Sequence, residues 1–114
     1  MRYTVSIKKN RDFRRLYRSG KSSANAYLAV YLRRNKLDSN RLGITTGVKL
    51  GNAVTRNRVR RLIREAYRLY EDRLIKGYDI VIVARTRAAG ASFKDIDESL
   101  RALMKKLGAA EENL

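Results

Sequence analysis

Residues 49–64 read KLGNAVTRNRVRRLIR: six Lys or Arg, no acid, and Val59, Leu62 and Ile63 set among the charges. The guanidinium fork of arginine pairs with phosphate at two points and stacks on flat bases. Arg56, Arg58, Arg60, Arg61 and Arg64, with Lys49 before them and Arg68 after, therefore suit an anion that repeats its charge. Asn52, Thr55 and Asn57 add neutral hydrogen-bonding groups of the kind that contact a sugar–phosphate backbone. A helix stabilised by its own surface would alternate Glu with Arg at i, i+4, yet from Lys49 to Arg68 only Glu65 is acidic. The alternative is a solvated charged face, and the one-sidedness of the charge speaks against it.

A second group is aromatic. Phe13, Tyr17, Tyr27 and Tyr31 lie close together in the chain, interleaved with Arg and Lys. Phe13 and Tyr17 share a helix face, whereas Tyr27, Ala29 and Tyr31 are expected on one face of a strand. Such rings can be core, or they can form a platform on which unpaired bases stack. The carboxylates point elsewhere. Asp95, Asp97 and Glu98 sit near one helix start, and Glu71 and Asp72 near the end of another. A metal-dependent nuclease needs carboxylates converging on divalent ions, but these positions are met more simply as partners of helix dipoles and as surface counter-charges. The chain has no Cys and no His. Zinc–thiolate sites, disulfides and cysteine nucleophiles are excluded, and the commonest general base is missing. The residues describe a binder: no catalytic residue and no metal ligand is assigned.

The elements that must carry these groups can be read from periodicity. NRDFRRLYRSG places Phe13, Leu16 and Tyr17 on one helical stripe, with Asn10 as the expected N-cap and Gly20 as the stop. In KSSANAYLAVYLRR, Leu28, Val30 and Leu32 alternate as in a strand, with a hairpin partner at residues 21–24. NKLDSN is a turn cluster, and RLGITTGVK continues the alternation through Leu42, Ile44, Thr46 and Val48. The longest helix is expected from about Asn52 to Leu74. Val59, Leu62, Ile63, Ala66, Tyr70 and Leu74 fall within one arc of roughly 120°, with Asn57, Arg60, Arg61, Arg64 and Arg68 opposite and Arg58 at the edge. GYDIVIVAR is a strand covered on both faces. SFKDIDESLRALMKKLG opens on a capping box of Ser92 and Asp95 and closes at Gly108. The result is an α+β fold, an α-β sandwich ordered helix-strand-strand-strand-helix-strand-helix, with one sheet of about four strands.

At 114 residues the chain makes a single domain, residues 1–114. A net charge of +16 is most easily tolerated when a polyanion neutralises it, nucleic acid first and an anionic membrane surface second. The N-terminus has no apolar run of a signal peptide, and no stretch is long enough to span a membrane. The expectation is a soluble, cytoplasmic protein.

The long motif KLGNAVTRNRVRRLIREAYR resembles the protein component of bacterial ribonuclease P, whose signature is an Arg-Asn-Arg core leading into a basic helix. KKNRDFRRLYRSGKS is similar to that family's first helix and turn, RLGITTGVK to its sheet strand, and YDIVIVAR to the strand after the basic helix, so the likeness covers nearly the whole chain. Gly47 and Val48 depart from it, standing where relatives often carry Ser and a further basic residue. The resemblance implies an RNA partner that hydrolyses precursor tRNA with bound magnesium to release the 5′ leader. No cofactor is implied for the protein itself, nor a membrane or small-molecule substrate. It implies that Lys49, Asn52, Arg56, Asn57, Arg58, Arg60, Arg61, Arg64 and Arg68 bind the catalytic RNA. Phe13, Tyr17, Ala29 and Tyr31 would line a cleft for the leader of precursor tRNA. It also implies a rare left-handed β-α-β crossover in a mixed sheet. Three alternatives stay open on the residues: a basic ribosomal protein, a protein-only nuclease, and a helix-turn-helix DNA binder, which lacks a compact helix pair before the basic helix.

Overall fold

The apolar positions of LAVYLRR and YDIVIVA alternate or run continuously, and both segments are strands at the middle of one sheet. The computed structural model describes residue 1 and residues 3–110. In chain order the elements are β1 (Thr4–Ser6), α1 (Asn10–Ser19), β2 (Lys21–Ala24), β3 (Leu28–Arg34), β4 (Asn40–Thr45), α2 (Ala53–Leu69), β5 (Tyr78–Ala84) and α3 (Phe93–Lys106). Short 3-10 turns occupy Val48–Leu50, Glu71–Arg73 and Thr86–Gly90.

The sheet has five strands in the order β1-β4-β5-β3-β2, one more than the sequence suggests. The extra strand, β1, is only three residues long, too short to display a period, and pairs parallel to β4 with Val5 opposite Arg41. β4 and β5 are parallel neighbours joined through α2, whereas β3 runs antiparallel to both β5 and β2. The sheet is therefore mixed, as expected.

Two layers of side chains cover it. On one face Leu28, Val30, Leu32, Ile80 and Ile82 pack against Val59, Ile63, Ala66 and Tyr67 of α2 and Ile96, Leu100, Leu103 and Met104 of α3. On the other face a smaller cluster of Ile7, Leu16 and Val81 holds α1, with Phe13, Tyr31 and Val83 packed at its margin. Burying one Leu, Ile or Phe side chain contributes about 1.5–3 kcal/mol, so the first layer dominates the stability and the second fastens α1.

Several element ends differ from expectation. Tyr70 leaves the helix at φ −130, so α2 stops at Leu69, not near Leu74. Tyr70 and Leu74 are buried all the same, carried inward by the 3-10 turn that follows. Tyr67, outside the expected stripe, is fully buried, and its hydroxyl lies 2.8 Å from Thr4 Oγ1 of β1. Burial pushes the Tyr67 phenol above its ordinary range. Lys9, not Asn10, is the N-cap of α1, without a side-chain bond. Gly20 ends that helix by close packing: a Cβ there would stand 2.7 Å from the Leu16 carbonyl oxygen. The alternation beyond Thr45 does not continue as strand, and Val48 is 77% exposed. Ser92 and Asp95 form the capping box expected for α3.

Candidate nucleic-acid interface

α2 begins where Gly51, at φ 135, turns the chain as only glycine does without strain. Asn52 Oδ1 then accepts the Thr55 backbone N–H at 3.0 Å, so this exposed residue caps the helix. Lys49, Asn57, Arg61, Arg64 and Arg68 are exposed, and Arg56 is half-buried. Among the described residues Lys49, Arg56, Arg61 and Arg64 have no ion-pair partner. Arg68 does: its Nε and Nη2 donate to Glu65 at 3.1 and 2.6 Å, and the contact holds the Glu65 carboxyl below its usual range.

Two arginines of the expected binding set are turned inward. Arg60 donates from Nη1 to the Ile44 carbonyl at 3.0 Å and from Nη2 to Thr46 Oγ1 at 2.7 Å, locking α2 to the end of β4. Arg58 donates from Nη2 to the Ala91 carbonyl at 2.9 Å, locking α2 to the turn before α3. The expectation that Arg60 stands opposite the core is thus corrected. With Tyr67 added to the stripe, the buried arc widens to roughly 80° from Val59, and Arg60 at about 100° becomes its rim. Arg58 is the rim on the other side. Arginine at a rim lays its stem on apolar surface and reaches sideways with its head, here to carbonyls of neighbouring elements.

On the opposite sheet face the register builds a cleft. Row by row, β3, β5 and β4 align Arg33 with Asp79 and Arg41, Tyr31 with Val81 and Gly43, and Ala29 with Val83 and Thr45. α1 covers the first two rows. Phe13 lies directly on Gly43, where any Cβ would come within 2.6 Å of its ring. The third row is left as an open floor, small at Ala29. At its border the Tyr17 and Tyr31 rings meet edge to face, centroids 4.9 Å apart, and the Tyr17 hydroxyl is 3.2 Å from Thr45 Oγ1. Tyr17 is 42% exposed, whereas Phe13 and Tyr31 are half-buried. A cavity of about 420 Å³ opens between Asn10, Phe13, Arg14, Tyr17 and Thr45. Phe13, Tyr17, Ala29 and Tyr31 are thus brought together. Tyr27 is not with them: it lies before β3 and packs against the α2–α3 layer, with the Arg87 guanidinium 5.6 Å from its ring centre. Asn10, expected only as a helix cap, joins the cleft, as do Arg14 and Thr45. Arg14 could have been found from its position one turn before Arg18, beside the aromatic stripe.

The first row is electrostatic. Asp79, 7% exposed, accepts Nε and Nη2 of Arg41 at 2.7 and 2.6 Å and the Asn35 amide at 3.0 Å. Burial pushes its pKa up, but these bonds more than offset it and the carboxyl stays below its ordinary range. Arg41 Nη1 also reaches Asp12 of α1 at 3.5 Å. Of the acids near the helix ends, Asp95 lies in the capping box, Asp97 on Arg101 at 3.1 Å, Glu98 near Lys94 at 3.9 Å, Glu71 accepts the Tyr3 backbone N–H at 3.3 Å, and Asp72 is exposed. Among the described residues no three acids converge, and no helix is long and apolar enough to cross a membrane.

The family model described as Ribonuclease P matches residues 1–108. The ribonuclease P protein component of Clostridioides difficile is 55% identical over 104 residues, covering 90% of this chain and 91% of the relative. That of Natranaerobius thermophilus is 40% identical over 114 residues, covering 100% and 99%. Among solved structures, the RNase P protein of Staphylococcus aureus superposes with a TM-score of 0.86 at 39% identity, over 93% of this chain and 97% of the other. That of Thermotoga maritima gives 0.81 at 34% identity, over 89% and 96%. The ribosomal-protein alternative finds no support in these comparisons.

Proposed function

The chain belongs to the ribonuclease P protein family, and from that premise we propose that it serves as the protein subunit of a ribonucleoprotein that removes the 5′ leader from precursor tRNA. In this reading the hydrolysis belongs to the RNA subunit and its magnesium ions, in the cytoplasm. The exposed face of α2, made by Lys49, Asn52, Arg56, Asn57, Arg61, Arg64 and Arg68, binds that RNA. The cleft of Phe13, Tyr17, Ala29 and Tyr31 takes the single-stranded leader. Arg58 and Arg60 hold this surface in shape and are not counted among its phosphate ligands.

The observation that carries the reading is the separation of two unlike surfaces on opposite sheet faces. One is a cationic helix face, suited to closely packed phosphates of a folded RNA. The other is an aromatic-bordered cleft with a small floor, suited to unpaired bases. A protein that held one duplex would need only the first. Neutralising phosphates releases counterions and favours compact RNA, and gripping the leader fixes the scissile bond relative to the RNA's metal ions. Both effects act on positioning, and neither requires a protein nucleophile.

The test is reconstitution. The purified chain, freed of RNA, is mixed with a bacterial ribonuclease P RNA and precursor tRNA at low magnesium. Cleavage at the mature 5′ end should require the RNA subunit and be stimulated by the protein. Cleavage by the protein alone, or no stimulation, would overturn the proposal.

A further inference from the structure

The unpaired charge of the molecule is not confined to the α2 motif. Two of the arginines in the α2 motif are engaged with backbone carbonyls, and a third is paired with Glu65. α1 is the reverse case. Arg11, Arg14, Arg15 and Arg18 are all exposed, and none of their guanidinium groups makes a hydrogen bond or ion pair among the described residues, although the charge of Arg15 helps to hold the Asp79 carboxyl low. The single acid of this ten-residue helix, Asp12, is buried at 9% exposure against Arg41 and does not neutralise the outer face.

Position makes this more than a solvated surface. At 100° per residue from Phe13, Tyr17 stands at roughly 40°, Asn10 at 60°, Arg14 at 100°, Arg18 at 140°, Arg11 at 160° and Arg15 at 200°. The arginines form one unbroken arc that begins where the aromatic border of the cleft ends. Arg14 belongs to both, since it lines the cavity with Phe13, Tyr17 and Thr45. A strand whose bases lie in the cleft and which leaves over Tyr17 and Asn10 meets this arc next.

We propose that the outer face of α1 is a second phosphate-tracking surface, which takes the single-stranded RNA that runs out of the cleft. Its occupant is the distal part of a long leader: unpaired, anionic, read by charge and not by base. A flexible backbone crossing one short helix matches four long, unpartnered side chains better than a rigid duplex does. The inference rests on the cleft holding the leader, and it adds that grip continues beyond the cleft.

The experiment uses the holoenzyme reconstituted with a bacterial ribonuclease P RNA. Binding is measured for mature tRNA, for precursor with a short leader that ends in the cleft, and for precursor with a leader several times longer. The variant replaces Arg11, Arg14, Arg15 and Arg18 together by Gln, with its fold checked by thermal melting; Arg11→Gln with Arg15→Gln is the milder version. In the wild type the long leader should bind more tightly than the short one. The variant should lose that advantage, and the salt slope for the long leader should fall by about two to three units, at about 0.7 per phosphate contact on a single strand. Short-leader binding should weaken only slightly, through Arg14, and assembly with the RNA subunit should not change. A parallel loss for all three ligands, a weakened RNA subunit complex, or no change at all would each overturn the proposal. So would a wild type indifferent to leader length. The cleft reading has its own separate check in Tyr31→Ala with the short leader.

Discussion

α1 and α2 are both amphipathic, both rich in arginine, and packed on opposite faces of one sheet, yet they are fastened in opposite ways. α2 fastens itself: Arg58 and Arg60 reach out from its rim to carbonyls of the turn before α3 and of β4. α1 is fastened from below, by the Arg41 fork that rises from β4 to Asp12 while also holding Asp79. In consequence α1 keeps all its arginines for the outside, whereas α2 does not. The number of arginines in a motif is therefore a poor count of its phosphate contacts. What decides is where each falls relative to the apolar stripe.

The largest effect should come from breaking the lower fastening. Arg41→Ala leaves Asp79 buried without its main partner, and loss of charge-assisted bonds of this kind costs about 1.5–3 kcal/mol or more. The pH dependence identifies the cause. In the wild type the Asp79 carboxyl is held below its ordinary range, so its stabilisation is complete above that range and fades as pH falls through the lowered value. In the variant only the Asn35 amide and the Arg15 charge still oppose burial, so the Asp79 pKa rises from its wild-type position. The difference in stability should be greatest near neutral pH, shrink as pH falls through the variant's higher value, and vanish only below the lowered value of the wild type. Melting across pH is the measurement. A deficit independent of pH would assign Arg41 a packing role only.

The cleft comes next. Tyr31→Ala, and with it Tyr17→Ala, should weaken binding of precursor tRNA by ~1–3 kcal/mol, the usual worth of a base–aromatic stack, while mature tRNA and RNA-subunit binding stay nearly constant. Tyr17, the more exposed ring, gives the cleaner comparison, because Phe13 and Tyr31 also belong to the layer that holds α1. Equal loss for leader-bearing and leaderless tRNA would make these rings core.

Much of this was legible in the sequence. The strands around Leu28–Leu32 and Ile80–Val83, the capped third helix, the shared helix face of Phe13 and Tyr17 and the shared strand face of Ala29 and Tyr31 follow from periodicity, whereas the joining of those two faces into one cleft comes from the family resemblance. What was not legible depends on contacts distant in the chain. β1 exists because β4 offers it an edge, and three residues carry no period of their own. Tyr67 is buried because β1 provides Thr4 for its hydroxyl. That one ring then moves Arg60 from the solvent side of the wheel to its rim. Tyr27 was misplaced because β3 begins one residue later, at Leu28, so strand alternation does not govern it.

The two kinds of arginine on α2 can be separated directly. Arg60→Ala should lower stability by about 1–2 kcal/mol through lost hydrogen bonds and leave the salt slope of RNA-subunit binding unchanged. Arg64→Ala should do the opposite, with stability within about 0.5 kcal/mol and the slope reduced by nearly one unit. Thr46→Val removes one of the Arg60 bonds without touching charge, so it should reproduce part of the first pattern. If Arg60→Ala lowers the slope as Arg64→Ala does, the inward bonds open on assembly and Arg60 is a ligand after all.

The smallest effect concerns Arg68, the one outward cation of α2 with a partner among the described residues. Glu65 holds its guanidinium at two points, on a surface otherwise prepared for phosphate. Both groups are exposed, so the pair is screened and adds little to the fold. Its effect is on binding instead, because an RNA that engages Arg68 must first displace or tolerate a carboxylate. Glu65→Gln frees the arginine and removes a charge that repels phosphate. Affinity for the RNA subunit should therefore rise modestly, and the salt slope should steepen by up to about one unit, with the melting temperature little changed. Arg68→Ala should have less effect than Arg64→Ala in the same assay, since the phosphate contact it loses was already contested. If Glu65→Gln leaves both affinity and slope untouched while Arg64→Ala reduces them, the RNA footprint ends before the last turn of α2.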